Sequence, residues 1–203
     1  MDEAEEKALV ERLQRHDEAA FNALVRLYEK SVFRLVLRML GDRAEAEDVA
    51  QDVFVTIFKS IGGFRGESKL STWIYRVATN HCKNRIKYLD RRARGKKSEL
   101  DDVTEGGALE SASMASSATI ARPDQQAEAN QIEKIVRAAI SVLDEDQREL
   151  VVLRDVENLS YEEIQAITGL PEGTVKSRLH RARLQLMKAI QKAGDPRKKG
   201  GEP

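Results

Sequence analysis

Between Val175 and Ile190 the chain reads VKSRLHRARLQLMKAI, and its hydrogen-bond donors are not spread evenly round a helix. At 100° per residue, Lys176, Ser177, His180 and Arg181 cluster on one face, Arg183 flanks them, and Arg178 lies further round. Val175, Leu179, Ala182, Leu186 and Ile190 fall on the opposite side. A helix that buries that apolar side can lay the other in the major groove of duplex DNA. There Lys and Arg donate to guanine O6 and N7, while Ser and His reach other base edges or phosphates. The plain alternative is a bundle helix with a basic exterior. Against it stands the position of the donors, in the first two turns after "SYEEIQAITGLPEG": a helix capped by Ser160 and Glu163, then a Gly-containing turn. That is the order of a helix-turn-helix.

A second concentration of donors lies at 64–88, FRGESKLSTWIYRVATNHCKNRIKY, where Phe, Trp and two Tyr sit among Arg and Lys. Aromatics are only 5% of the chain. Either this is an amphipathic helix with a solvated basic side, or it is a surface for unstacked bases. Stacking a base on an aromatic ring is worth about 1–3 kcal/mol, and neighbouring Lys and Arg hold the phosphates. Trp73 falls on the apolar side with Val77, as a core residue would; Phe64 is open to both readings. His81 beside Cys82 does not read as a metal pair, since adjacent helix residues diverge by 100°. Glu45, Asp48 and Asp52 form an acidic stripe at i, i+3 and i+7, beside Gln51. Such a stripe can be solvated, pair with a basic partner helix, or hold a divalent metal.

The elements that must position these residues are all helical. From Phe21 to Met39 the apolar residues recur at helical spacing, and Gly41-Asp42 ends that run. A second helix is expected from about Ala44 to Ser60, broken by Gly62 and Gly63. A third is expected to start at a Ser71 or Thr72 cap and reach about Leu89. Periodicity returns at Ile132, Ile135, Val136, Ala139, Ile140 and Leu143, then over Gln147–Val156, with a last helix from about Thr174 to Lys192. The predicted class is all-α: two small helical domains, the first a three-helix or four-helix bundle, the second a helix-turn-helix bundle. Between them, 98–127 is rich in Ser, Ala, Gly and acid, and reads as a flexible acidic linker.

The chain has 203 residues and no formal net charge, but the charges are segregated. Residues 61–97 carry 11 Lys and Arg against 2 Asp and Glu, and residues 173–203 carry 9 against 2, while 1–60 and 98–172 are acidic. Two basic blocks on an otherwise acidic chain fit two contacts with a polyanion or two solvated helix faces. No apolar run approaches the ~18 residues that span a bilayer. The first twenty residues lack a signal-peptide core, and one cysteine forms no internal disulfide. A cytoplasmic protein is expected. No catalytic constellation, phosphate-cradling loop, metal site or cofactor site is evident.

The motifs resemble one family. "GLPEGTVKSRLHRAR" is similar to the signature of region 4 of bacterial sigma factors of the extracytoplasmic-function group. "DVAQDVF" with "FRGESKLSTWIYRVATNHCKN" is similar to region 2. The resemblance covers about 10–95 and 128–192, with both motifs in the family's order. One departure is Gln165, where many helix-turn-helix units carry a small residue such as Ala for close helix packing. The resemblance implies a promoter-specificity subunit of RNA polymerase, with a region 2 type domain at 1–97, the linker at 98–127 and a region 4 type domain with a basic tail at 128–203. It implies −35 contacts from Lys176, Ser177, His180, Arg181 and Arg183, with Arg178 as a phosphate or partner contact. For the melted −10 strand it implies a base-capturing loop, 64–71, contributing Phe64, Arg65, Lys69 and Ser71. On the reading helix that follows lie Thr72, Tyr75, Arg76, Asn80, Lys83 and Asn84. Asn80 is the best placed to meet a flipped base, because its amide both donates and accepts. Arg91, Arg92, Arg94, Lys96 and Lys97 read as phosphate contacts or solvated charge.

For the acidic stripe the resemblance favours a partner: Asp48, Gln51, Asp52 and Phe54 would dock on the clamp of the largest polymerase subunit. The flap of the second-largest subunit and an anti-sigma factor are further implied partners. A thirty-residue linker spans up to ~100 Å at ~3.3 Å per residue. That exceeds the ~70 Å of two duplex turns, so each domain can hold its own promoter element. Two rivals remain: a stand-alone helix-turn-helix regulator, which would bind a palindrome without polymerase, and a metal-dependent nuclease built on the acidic stripe.

Overall fold

The structure, a computed structural model, describes residues 2–100, 136 and 138–194, and among these every regular element is helical. Most of the predicted linker (101–127), with Ile132 and Ile135, lies outside the described residues.

The chain starts with a helix that the periodicity from Phe21 does not anticipate, α1 (Glu3–Gln14). Asp2 accepts from the Glu5 amide while Glu5 reaches back to the Asp2 amide, a reciprocal cap that fixes the helix start. Leu13 anchors α1 in the core. Helix α2 (Glu18–Leu40) buries Leu24, Val32, Leu35, Val36 and Met39, the predicted face, and ends at Gly41. With φ 79°, Gly41 takes the left-handed conformation that closes a helix at low steric cost. Asp42 caps α3 (Arg43–Ser60), which packs Val49, Val53 and Ile57 against α2.

Helix α4 (Leu70–Leu100) corrects two expectations. It does not start at a Ser71 or Thr72 cap: both lie within the helix, and Thr72 is buried. The Leu70 amide instead donates to Glu6 Oε1 of α1, at 2.8 Å, so a carboxylate from another helix supplies the cap and suits the positive end of the dipole. Nor does α4 stop near Leu89. The Arg- and Lys-rich segment that follows favours helix and carries it past Gly95. Ile74, Ala78 and Cys82 of α4 are fully buried, and burial pushes the Cys82 thiol up to about 12.

The second module opens with a helical stretch ending at Ser141, then α5 (Glu145–Val151), capped by Asp144. A wider π-helical turn, Val152–Val156, continues it and delivers Glu157 toward the first module. Ser160 and Glu163 form the predicted capping box of α6 (Tyr161–Thr168). Gly169, at φ 71°, turns the chain into α7 (Glu172–Gly194). Val175, Leu179 and Ala182 of α7 are buried. Leu186 is half-buried and Ile190 is 37% exposed, so the predicted apolar side outruns the module's core.

The modules are docked, and their buried residues form one continuous core. Helix α4 packs against α6, and α2 against α5 and the π-turn. The Arg148 guanidinium crosses the junction, donating to the Met39 carbonyl at 2.7 Å and to the Ser141 and Leu143 carbonyls on its own side. Arg34 grips Glu157 with two parallel bonds of 2.7 and 2.8 Å. The sequence pattern, which implies modules free on a tether, does not show this contact.

Candidate nucleic-acid interface

The turn between α6 and α7 is closed by a backbone hydrogen bond at each end. The Gly169 amide donates to the Gln165 carbonyl at 2.8 Å, and the Val175 amide to that of Pro171 at 3.0 Å. Gln165 is half-buried at the edge of this packing, and Ile164 and Ile167 fill its centre. With its apolar side fixed inward, α7 turns Lys176, Ser177, His180 and Arg181 to solvent. Lys176 pairs with Glu172 and lies 5.2 Å from the centre of the Tyr161 ring. These contacts hold the ammonium near the start of the helix. Arg178 and Arg183 are placed differently. Arg178 bonds Asp146 at 2.7 Å, and Arg183 grips Asp155 through both Nε and Nη2. Docking of the modules leaves the four-residue donor face open.

In the first module the predicted −10 residues separate into two sets. Arg65, Arg76, Asn80 and Asn84 are exposed, the last three one turn apart along α4. Phe64 is 8% exposed and stacks at a tilt against half-buried Trp73, ring centres 5.5 Å apart. Both rings line a cleft with Arg65, Glu67, Ser68 and Arg76, and Ala166 of α6 closes its far side. Trp73 therefore serves core and cleft together. Thr72 and Tyr75 are buried, and Ser71 is half-buried. Lys69 Nζ bonds Glu163 at 2.9 Å, Tyr75 Oη donates to Glu157 at 3.2 Å, and Lys83 Nζ bonds Glu149 at 2.7 Å. Desolvation and the Glu157 charge push the Tyr75 hydroxyl up to about 12, so it donates at neutral pH.

The acidic stripe sits on the outer side of α3. Asp48, Gln51 and Asp52 are exposed, and Phe54 is half-buried against the core. Glu45 is committed to Arg85 of α4, whose Nη2 also lies 3.9 Å from Asp48. Among the described residues no three His, Cys, Asp or Glu side chains gather as a metal would need. Val55 is half exposed one turn beyond Gln51 and Asp52, and Leu184 and Met187 are exposed on α7 near Ile190, none of them among the residues expected from the motifs. An apolar residue on an otherwise polar helix face is the signal that could have found them.

Two family comparisons fall on the two modules. Residues 24–105 match Sigma-70 region 2, and residues 133–186 match Sigma-70 region 4. The RNA polymerase sigma-H factor of Pseudomonas aeruginosa is 38% identical over 187 residues, covering 92% of this chain and 94% of that protein. The ECF RNA polymerase sigma-E factor of Escherichia coli K12 is 36% identical over 189 residues, with 92% and 94% covered. The fold is similar to that of the sigma factor RpoE of Bartonella quintana, solved with the anti-sigma factor NepR. That match has a TM-score of 0.60 at 25% identity, over 84% of this chain and 96% of that one. The chain belongs to the extracytoplasmic-function group of sigma-70 factors. It binds core RNA polymerase and directs promoter-specific initiation; the stand-alone regulator is not favoured.

Proposed function

We propose that this sigma factor divides promoter recognition between its modules, with α7 reading the −35 duplex and α4 with its preceding loop holding the melted −10 strand. The observation that carries the proposal is the α7 face. Its donors point outward from a helix whose other side is locked in a core, as a recognition helix requires. Lys176, Ser177, His180 and Arg181 take the base edges. Arg178 and Arg183, already held by carboxylates, serve as phosphate or partner contacts once those pairs exchange. In the first module the Phe64–Trp73 cleft takes an unstacked base, and Arg76, Asn80 and Asn84 line the path of the strand. Core polymerase supplies the catalysis, so the chain itself acts as a cytoplasmic specificity subunit, not an enzyme. The expected boundaries 1–97, 98–127 and 128–203 serve as melting domain, linker and −35 domain, except that α4 carries the first of them on to Leu100. The relative solved with NepR supports an anti-sigma partner for this chain.

The exposed stripe Asp48, Gln51 and Asp52, extended by Val55, docks on the polymerase clamp, and Leu184, Met187 and Ile190 offer an apolar strip to the flap. Asp52→Lys is expected to weaken assembly with core enzyme by about tenfold or more, since like charges at an interface repel. Competition against the labelled wild-type chain for core polymerase checks this. Unchanged competition by the folded variant would remove the stripe from the interface.

A further inference from the structure

The first helix touches the proposed base-capturing loop at both of its ends. Gln14 Nε2 of α1 donates to the Phe64 carbonyl at 2.9 Å, and Glu6 Oε1 accepts from the Leu70 amide at 2.8 Å. Phe64 and Leu70 are buried, while Arg65, Gly66, Glu67 and Lys69 between them are exposed. Among the described residues, 65–68 make no backbone hydrogen bond, and Gly66 bends the chain at φ 71°. The loop therefore takes its shape from where α1 holds it. Glu6 and Gln14 are eight residues apart, about 12 Å along a helix. The six steps from Phe64 to Leu70 reach about 20 Å when extended, so a loop held over the shorter span arches outward. The helix itself is well seated. Leu13 is 2% exposed, Leu9 and Val10 pack against the core, and Arg12 bonds Asp17, the cap of α2, at 2.9 Å. It lies wholly outside residues 24–105, the match to Sigma-70 region 2, so that match assigns it no task.

We propose that α1 is a splint for this loop, with Gln14 and Glu6 as positioning residues that hold the Phe64–Trp73 cleft ready for an unstacked base. Gln14 fixes the backbone that carries the Phe64 ring. Glu6 fixes the start of α4, where Trp73 follows within the first turn, its amide bonded to the Lys69 carbonyl at 3.2 Å. Both aromatic walls of the cleft thus trace back to one helix. A loop already in its competent shape meets the base without being ordered first, and affinity for that base scales with the competent fraction. The inference rests on the −10 assignment above and adds to it the residues that set its sharpness.

The test uses the full chain with core polymerase and promoters that share one −35 element and carry a randomised −10 element. The quantity read is the ratio of transcripts from the best base to those from the other bases, position by position. Gln14→Leu and Glu6→Leu are each expected to lower that ratio about fivefold at one −10 position, the effect of one lost hydrogen bond. Glu6→Gln keeps an acceptor for the Leu70 amide and is expected to stay within about twofold of wild type. A second library, randomised at −35, is expected to give all four chains the same preferences. A merely destabilised chain supplies less active subunit and loses output on every promoter alike, which leaves the ratios where they were. Gln14 is exposed, so its variant does not depend on repacking the core. Unchanged ratios in both leucine variants, or a Glu6→Gln ratio as low as that of Glu6→Leu, would overturn the splint alone. A wild-type chain with no preference at any −10 position would overturn the −10 assignment, and the splint with it.

Discussion

Replacing Asn80 with alanine is expected to cripple promoter opening while leaving −35 binding intact. Asn80 is exposed on α4, one turn from both Arg76 and Asn84. Its amide offers a donor and an acceptor to one base edge, and such a pair is worth about 1–3 kcal/mol. Holoenzyme carrying Asn80→Ala should therefore open the promoter about 5- to 150-fold less well. Permanganate reactivity of unpaired thymines measures the opening, and mobility shift of −35 duplex measures the other contact. Because the two modules read separate elements, only the first should change. Equal loss of both would contradict the division of labour.

The second large effect comes from a residue that would touch no DNA. Leu179 lies on the inner side of α7, 1% exposed among the core that includes Ile164 and Ala182. Leu179→Ala removes three buried carbon atoms beneath the recognition helix. A cost of about 2–5 kcal/mol follows, from lost transfer energy and the cavity left behind. Thermal melting followed by circular dichroism should show the loss, and −35 binding should fall with it. Arg181→Ala is the contrasting case. It should leave the melting curve in place while costing about 1–3 kcal/mol of discrimination at the base pair it reads. If Arg181→Ala destabilised the fold as Leu179→Ala does, the outer face of α7 would be structural.

Those two substitutions illustrate how much the sequence reveals. The period of Val175, Leu179 and Ala182 against Lys176, His180 and Arg181 separates core from reading face, and the structure keeps that separation. Local signals carry their elements too: Ser160 with Glu163, Gly41 with Asp42, Gly169. The same kind of signal was present for α1 in Asp2 and Glu5, but an acidic opening with little apolar content concealed it. What periodicity cannot convey is a partner distant in the chain. The cap of α4 is Glu6, 64 residues away, so Ser71 and Thr72, good capping types by local rules, are drawn into the helix instead. Lys69, Tyr75 and Lys83 read as strand contacts in sequence because their carboxylate partners lie on the other module. Ile190 shows the limit from the other side: helical spacing marks a residue as apolar-facing, but not whether another element covers it.

Two cationic surfaces on separate helical units, one for intact and one for unpaired DNA, are the centre of the account. The most direct measurement is transcription in vitro by core polymerase and this chain on a library of randomised promoters, with start sites sequenced. The account predicts transcripts sharing a two-part upstream element, one part lost with Arg181→Ala and the other with Asn80→Ala. Selection of a single palindrome, or site-specific binding that stays equally strong without core enzyme, would contradict it.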